Sequence, residues 1–180
     1  FEPYLDIYVE FEEKEMQSMM SRFVKEDSFE DRNMVFESSQ VMFDQFKEVM
    51  DTCTSLSRGY AFLQISKLFR DQLKVYSDFI LGKLPKSLDG PVKLKEGDEK
   101  IICFVINTAE YCTSNVEALS ETIKQHLDKE FLPKFVEFAS EQDRFQTVVA
   151  RGLIMTFPKK TLIVAWAYRS KLAPLSFGNG

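Results

Sequence analysis

Apolar side chains recur at intervals of three and four along most of this chain, the spacing that gathers them on one face of an α-helix. From Pro3 to Val24 the set is Leu5, Tyr8, Met16, Met19, Met20 and Phe23, with Pro3 suited to a first turn and Glu10, Glu12, Glu13 and Glu15 crowding the other face. A second helix is predicted from Ser38 or Ser39, whose hydroxyls can accept an early backbone N–H. It runs through Val41, Met42, Phe43, Phe46, Val49, Met50, Cys53 and Leu56 to a stop at Arg58-Gly59. A third follows from Tyr60 to about Gly82 on a stripe of Phe62, Ile65, Phe69, Leu73, Tyr76 and Ile80. Two helices joined across one glycine make an antiparallel hairpin or a kinked rod.

Residues 82–98 break the pattern with two prolines, three glycines and four lysines, and Asp89-Gly90-Pro91 is a turn signal. Lys83, Lys86, Lys93 and Lys95 read there as members of a solvated loop. The most sustained repeat follows: with Asp98 as N-cap, Ile102, Val105, Ala109, Cys112, Val116, Leu119 and Ile123 lead to Leu127. Such a helix is about 45 Å long, the dimension of a bundle strut or coiled-coil element. Phe131, Phe135, Phe138, Phe145, Val148 and Val149 continue the spacing, with Pro133 predicted as a fresh start.

The end of the chain is different in kind. Leu153-Ile154-Met155 and Thr161-Leu162-Ile163-Val164-Ala165-Trp166-Ala167-Tyr168 are short apolar runs separated by Pro158-Lys159-Lys160. They are too short to span a bilayer. A buried strand, an interfacial anchor flanked by Lys159, Lys160, Arg169 and Lys171, and a terminus that is not native sequence are all compatible with them. The expected organisation is a helical rod segment over 1–150, with a linker near 82–98, and a divergent basic and apolar tail over 151–180, unstructured or non-native.

Composition narrows the class. Of 180 residues, 44% are hydrophobic and 28% charged, which excludes a disordered or collagen-like chain, and seven Gly with six Pro are few for a sheet protein. The expected fold is all-α, an elongated antiparallel helical bundle or rod segment. The net charge of -5 argues against nonspecific nucleic-acid binding. It is unevenly spread: residues 1–31 hold ten acids and three bases, whereas 151–180 hold five bases and no acid. A start at Phe1, with no leader pattern, predicts a piece of a longer polypeptide.

Candidate chemistry is sparse. Cys53, Cys103 and Cys112 form no C-x-x-C pair, and nine residues place Cys103 and Cys112 on opposite helix faces, so three free thiols of a reducing, cytosolic compartment are expected. The single histidine, His126, has Glu130 four residues on but no metal-ligand pairing. Glu117, Glu121 and Lys124 read as ordinary surface pairing. Phosphate-binding glycine loops, the nucleophile elbow and the EF-hand loop are missing from the sequence. No catalytic, cofactor-binding or metal residue is expected, the function is non-enzymatic, and no individual binding residue stands out.

Three stretches carry a resemblance. Phe1-Glu2-Pro3-Tyr4-Leu5-Asp6-Ile7-Tyr8-Val9-Glu10, running on to Arg22-Phe23-Val24, resembles the opening of the middle region in the fifty-third vacuolar protein sorting subunit family of the Golgi-associated retrograde protein (GARP) tethering complex. Ile65-Ser66-Lys67-Leu68-Phe69-Arg70 with Leu73-Lys74-Val75-Tyr76, and most specifically Asn107-Thr108-Ala109-Glu110-Tyr111-Cys112, resemble the same family in the same order over about residues 1–150. From Gly152 onward the family's further amphipathic helices are not matched, and its N-terminal assembly coiled coil is not included.

The resemblance implies a non-catalytic scaffold segment of a multisubunit vesicle tether. Such a tether acts in retrograde transport from endosomes to the trans-Golgi network and in endosomal recycling, on the cytosolic face of those membranes. It implies as partners the other subunits of the complex, with SNARE proteins and small GTPases, peripheral membrane association through the complex, and no cofactor. The alternative is a free-standing helical adaptor or a peripheral membrane-binding module using the basic tail.

Overall fold

The three-and-four spacing is realised as five α-helices among the described residues: α1 (Glu2–Glu26), α2 (Glu37–Leu56), α3 (Tyr60–Leu81), α4 (Asp98–His126) and α5 (Ala139–Thr156), with a 3-10 turn at Leu132–Lys134. The computed structural model describes residues 2–27, 29, 33–86, 94–156 and 175–177, and these contain no strand. The all-α expectation holds. The helices alternate in direction. α2 and α3 form a hairpin across Gly59, the first of the two arrangements expected there, α1 runs alongside α3, and α5 returns antiparallel along α4, the most extensive helix pair among the described residues.

α4 is enclosed over part of its length. Every residue from Ile102 to Ala109 is buried, so there the helix packs on all sides rather than along one stripe. α5 can lie close because of Gly152: a Cβ there would sit 2.5 Å from Ile106 Cγ1 and 3.7 Å from Ile102 Cγ2, closer than a side chain tolerates without displacing Ile106. Aromatic rings fill the space between helices. Phe46 of α2 stacks on Phe69 of α3 at 4.4 Å between ring centres, and Phe36 and Phe104 meet at 5.4 Å. Phe62, Phe69 and Tyr76, read from the sequence as core, are buried.

Several boundaries differ from the sequence reading for identifiable reasons. α2 begins at Glu37, one or two residues before the predicted serine caps, and Phe36 stands at the N-cap without a side-chain cap bond. Its open N–H groups are served from elsewhere: Phe36 N–H donates to Thr108 Oγ1 of α4 at 2.9 Å and Ser38 N–H to Asp27 Oδ1 at 3.2 Å. Asp98 is the first residue of α4, not its cap. Gly97 caps it with φ of 91°, a left-handed conformation suited to glycine, and Asp98 Oδ2 accepts instead from Lys95 N–H at 2.7 Å.

Around Pro133 the chain makes only a 3-10 turn, and Phe135 to Phe138 stay outside a helix until α5 starts at Ala139. Gly152 to Met155, expected to lie beyond the rod, continue α5. The apolar and basic run 159–171 and the linker residues 87–93 lie outside the described residues. Leu175–Phe177 return to the bundle: Thr122 Oγ1 donates to Phe177 O at 3.0 Å and Leu175 N–H to Asn115 Oδ1 at 2.9 Å.

Candidate interaction surface

The titratable groups inside the bundle are arranged to hold helices together. Asp27, at the end of α1, accepts from the backbone N–H and, at 2.8 Å, the hydroxyl of Ser38, and Ser38 Oγ lies 2.8 Å from the Tyr76 hydroxyl of α3. Lys83, just past α3, completes the node at 3.6 Å from Asp27 Oδ2 while its ammonium sits 4.4 Å from the Phe79 ring centre and 4.7 Å from that of Phe36. Lys83 is therefore a packed residue and not the solvated loop lysine expected from composition. One buried carboxylate thus ties the ends of α1, α2 and α3 together.

A second tie joins α3 to α5. Glu141 is fully buried, and its carboxylate lies 3.4 Å from Arg70 Nε, 3.9 Å from Lys74 Nζ and 2.9 Å from the Ser140 hydroxyl that donates to it. Arg144 pairs with Asp78 at 3.2 Å nearby. Glu141 has no signature in the sequence: a single glutamate near a helix start reads as solvent-facing until α3 is laid beside it.

The three cysteines are not prepared for nucleophilic chemistry. Cys53, Cys103 and Cys112 are free and buried. Burial pushes the Cys53 thiol up to about 12, with the nearby Glu12 carboxylate adding to the effect, and raises Cys103 and Cys112 as well, so all three stay protonated thiols at neutral pH. His126 is half-buried, with Nδ1 2.8 Å from Thr122 O of its own helix. Lys124 pairs with Glu137 at 2.6 Å, and Glu121 also acts on its ammonium electrostatically. Among the described residues no cluster of His, Cys, Asp and Glu could hold a metal ion, and no helix is long and apolar enough to cross a membrane.

The features that could meet another molecule are on the surface, and they centre on α1. Tyr4, Ile7 and Phe11, one stripe at intervals of three and four, are 76%, 63% and 56% exposed. Two of the grooves that border α1 are roomy. One, of about 570 Å³, opens between the start of α1, the α2–α3 turn and the α4–α5 connection, with Asp6, Asp128 and Glu130 among apolar Leu5, Tyr60 and Phe131. Its floor depends on Gly59, where a Cβ would stand 3.1 Å from the Phe131 ring, and on the Asp128 N–H to Arg58 O bond of 2.9 Å. The other, of about 460 Å³, runs between α1 and α3. Neither is lined by a lysine, arginine or histidine.

The three stretches singled out in the sequence have definite places. Asn107 to Cys112 sits in the enclosed part of α4, where Thr108 serves α2 as described. Leu68, Gln72 and Val75, within or beside the second stretch, line the α1–α3 groove, while Arg70 turns to Glu141. The first stretch contributes Leu5 and Asp6 to the larger groove, with Tyr8 OH donating to Val49 O at 3.3 Å.

No family model matches the chain, and no solved structure matches it either. It is 31% identical over 168 residues to vacuolar protein sorting-associated protein 53 A of Arabidopsis thaliana, a match that takes in 86% of this chain and 20% of that protein. It is 25% identical over 134 residues to vacuolar protein sorting-associated protein 53 of Saccharomyces cerevisiae, covering 69% of this chain and 16% of that protein. The chain thus spans a fifth or less of the length of these curated relatives.

Proposed function

The chain is related to vacuolar protein sorting-associated protein 53, and from that premise we propose that it is a non-catalytic scaffold segment of a GARP-type vesicle-tethering subunit. The observation that carries the reading is the 31% identity to the Arabidopsis protein across 86% of this chain. The fold supports it. Antiparallel helices whose side chains interlock along their length resist bending, because a bend requires several packed rows to slip at once. A strut of that kind keeps partners at a set distance without reaction chemistry.

In this reading the segment works in retrograde transport from endosomes to the trans-Golgi network and in endosomal recycling. It sits at the cytosolic face of those membranes through the complex, alongside the other tether subunits, with SNARE proteins and small GTPases recruited by the assembly. The free-standing membrane module has no comparable support.

A chimera tests it: residues 1–150 replace the corresponding stretch of the yeast protein in cells lacking the native copy. Restored retention of a vacuolar hydrolase, with the other tether subunits co-purifying, is the expected result. A stably expressed chimera that leaves the hydrolase secreted and recovers no subunit would sink the assignment.

A further inference from the structure

The groove between α1 and α3 is shaped and charged as an acceptor for cationic side chains. Its α3 wall extends from Leu68 to Phe79 on one stripe, about 16 Å or three helical turns. Glu13 of α1 and Asp71 of α3 line it, with Leu68 and a 52%-exposed Val75 as apolar surface over a buried Met20 and no base in the lining. The carboxylates are lightly engaged: Glu13 Oε1 accepts from Gln17 at 3.3 Å, and Asp71 has Lys74 at 3.6 Å. Gln72 adds an independent signal. It is 6% exposed, belongs to the groove lining, and its Oε1 has no hydrogen-bond partner among the described residues.

An unpaired buried acceptor is unfavourable unless a donor arrives. A neutral apolar occupant would desolvate two carboxylates and leave Gln72 unmet, and an acidic one would be repelled. We propose that this groove docks a basic amphipathic helix of a partner protein, about three turns long. Its apolar stripe lies on Leu68 and Val75, above the buried Met20, and an Arg or Lys donates to Gln72 Oε1 and the flanking carboxylates. The proposal stands on the groove and not on the trafficking role.

The probe is a fluorescein-labelled 18-residue amphipathic helix of Leu, Ala, Lys and Arg, with a second peptide carrying Glu in place of Lys and Arg, titrated into the 180-residue chain at physiological salt by fluorescence anisotropy. The basic peptide is expected to bind about tenfold or more tightly than the acidic one, and Glu13→Lys with Asp71→Lys to weaken it about tenfold. Asp6→Lys with Glu130→Lys, at the other groove, should change it by less than about twofold, as surface charges screened by salt and distance do. Gln72→Leu should weaken it several-fold with an unchanged circular dichroism spectrum. Methyl NMR of the unmutated chain should move Met20 and leave Met42 in place. Equal losses from the two charge-reversal pairs, an unmoved Met20, or self-association of the chain abolished by Val75→Asp would each overturn the proposal.

Discussion

α1 and α4 are both long amphipathic helices, of 25 and 29 residues, yet they use their apolar residues in opposite ways. In α4 burial extends beyond the apolar stripe to Asn107, Thr108 and Asn115, because neighbours enclose the helix from Ile102 to Ala109 and cover part of its face beyond. In the first half of α1 it falls short of the apolar residues: Tyr4, Ile7 and Phe11 face outward and Leu5, Tyr8 and Val9 are only partly covered. The lesson is that apolar spacing reports the capacity to pack. Where a helix sits decides how much of that capacity is used for stability and how much remains for contact with something else.

The sharpest way to break the comparison is to remove one aromatic ring from each helix. Phe104→Ala, which empties a site among Phe29, Phe36 and α4's neighbours, is expected to lower unfolding stability by about 3–5 kcal/mol, whereas Phe11→Ala should stay within about 0.5 kcal/mol. Urea titration measures both. A loss of several kcal/mol for Phe11→Ala would mean that α1's outer face is part of the fold.

A smaller effect probes the polar residues enclosed in α4. Thr108→Val keeps the shape but leaves the Phe36 N–H without its acceptor, an expected cost of about 1–3 kcal/mol. Thr113→Val removes a hydroxyl that, among the described residues, bonds back to Ala109 O, 2.9 Å away in the same helix, and should be close to neutral. Equal melting temperatures for the two variants would show that Thr108 is not supporting α2.

The smallest effect belongs to Glu12, the one acid of α1's crowded face that is buried, at 8% exposure. Burial raises its pKa above 4.5, with Glu15 adding to the rise and the Tyr8 hydroxyl opposing it. The folded chain therefore holds this proton more tightly than the unfolded chain, and the group's contribution falls as pH rises through the raised pKa. Glu12→Gln should melt higher than the native chain at neutral pH, with the gap closing below about pH 4, where both states are protonated. A gap independent of pH would exclude the charge as its cause.

The helices themselves were legible in the order of residues, since a period near 3.6 and a stop at Gly59 follow from local geometry. Capping was legible only in part. Ser38 and Ser39 have the right chemistry for an N-cap, yet the donors at α2 are met by Asp27 and Thr108, which adjoin it only after three helices have packed. Lys83 likewise reads as a loop lysine until Asp27 and two phenylalanines surround it.

No candidate surface could be found in advance for the same reason. Glu13 and Asp71 are 58 positions apart and become one acidic groove only because α1 and α3 lie side by side. Spacing along a chain encodes what each segment can bury, because it depends on neighbours within two turns. Which acids share a groove and which polar atoms are left unmet depend on contacts between segments far apart in the chain, and those exist only in the folded bundle.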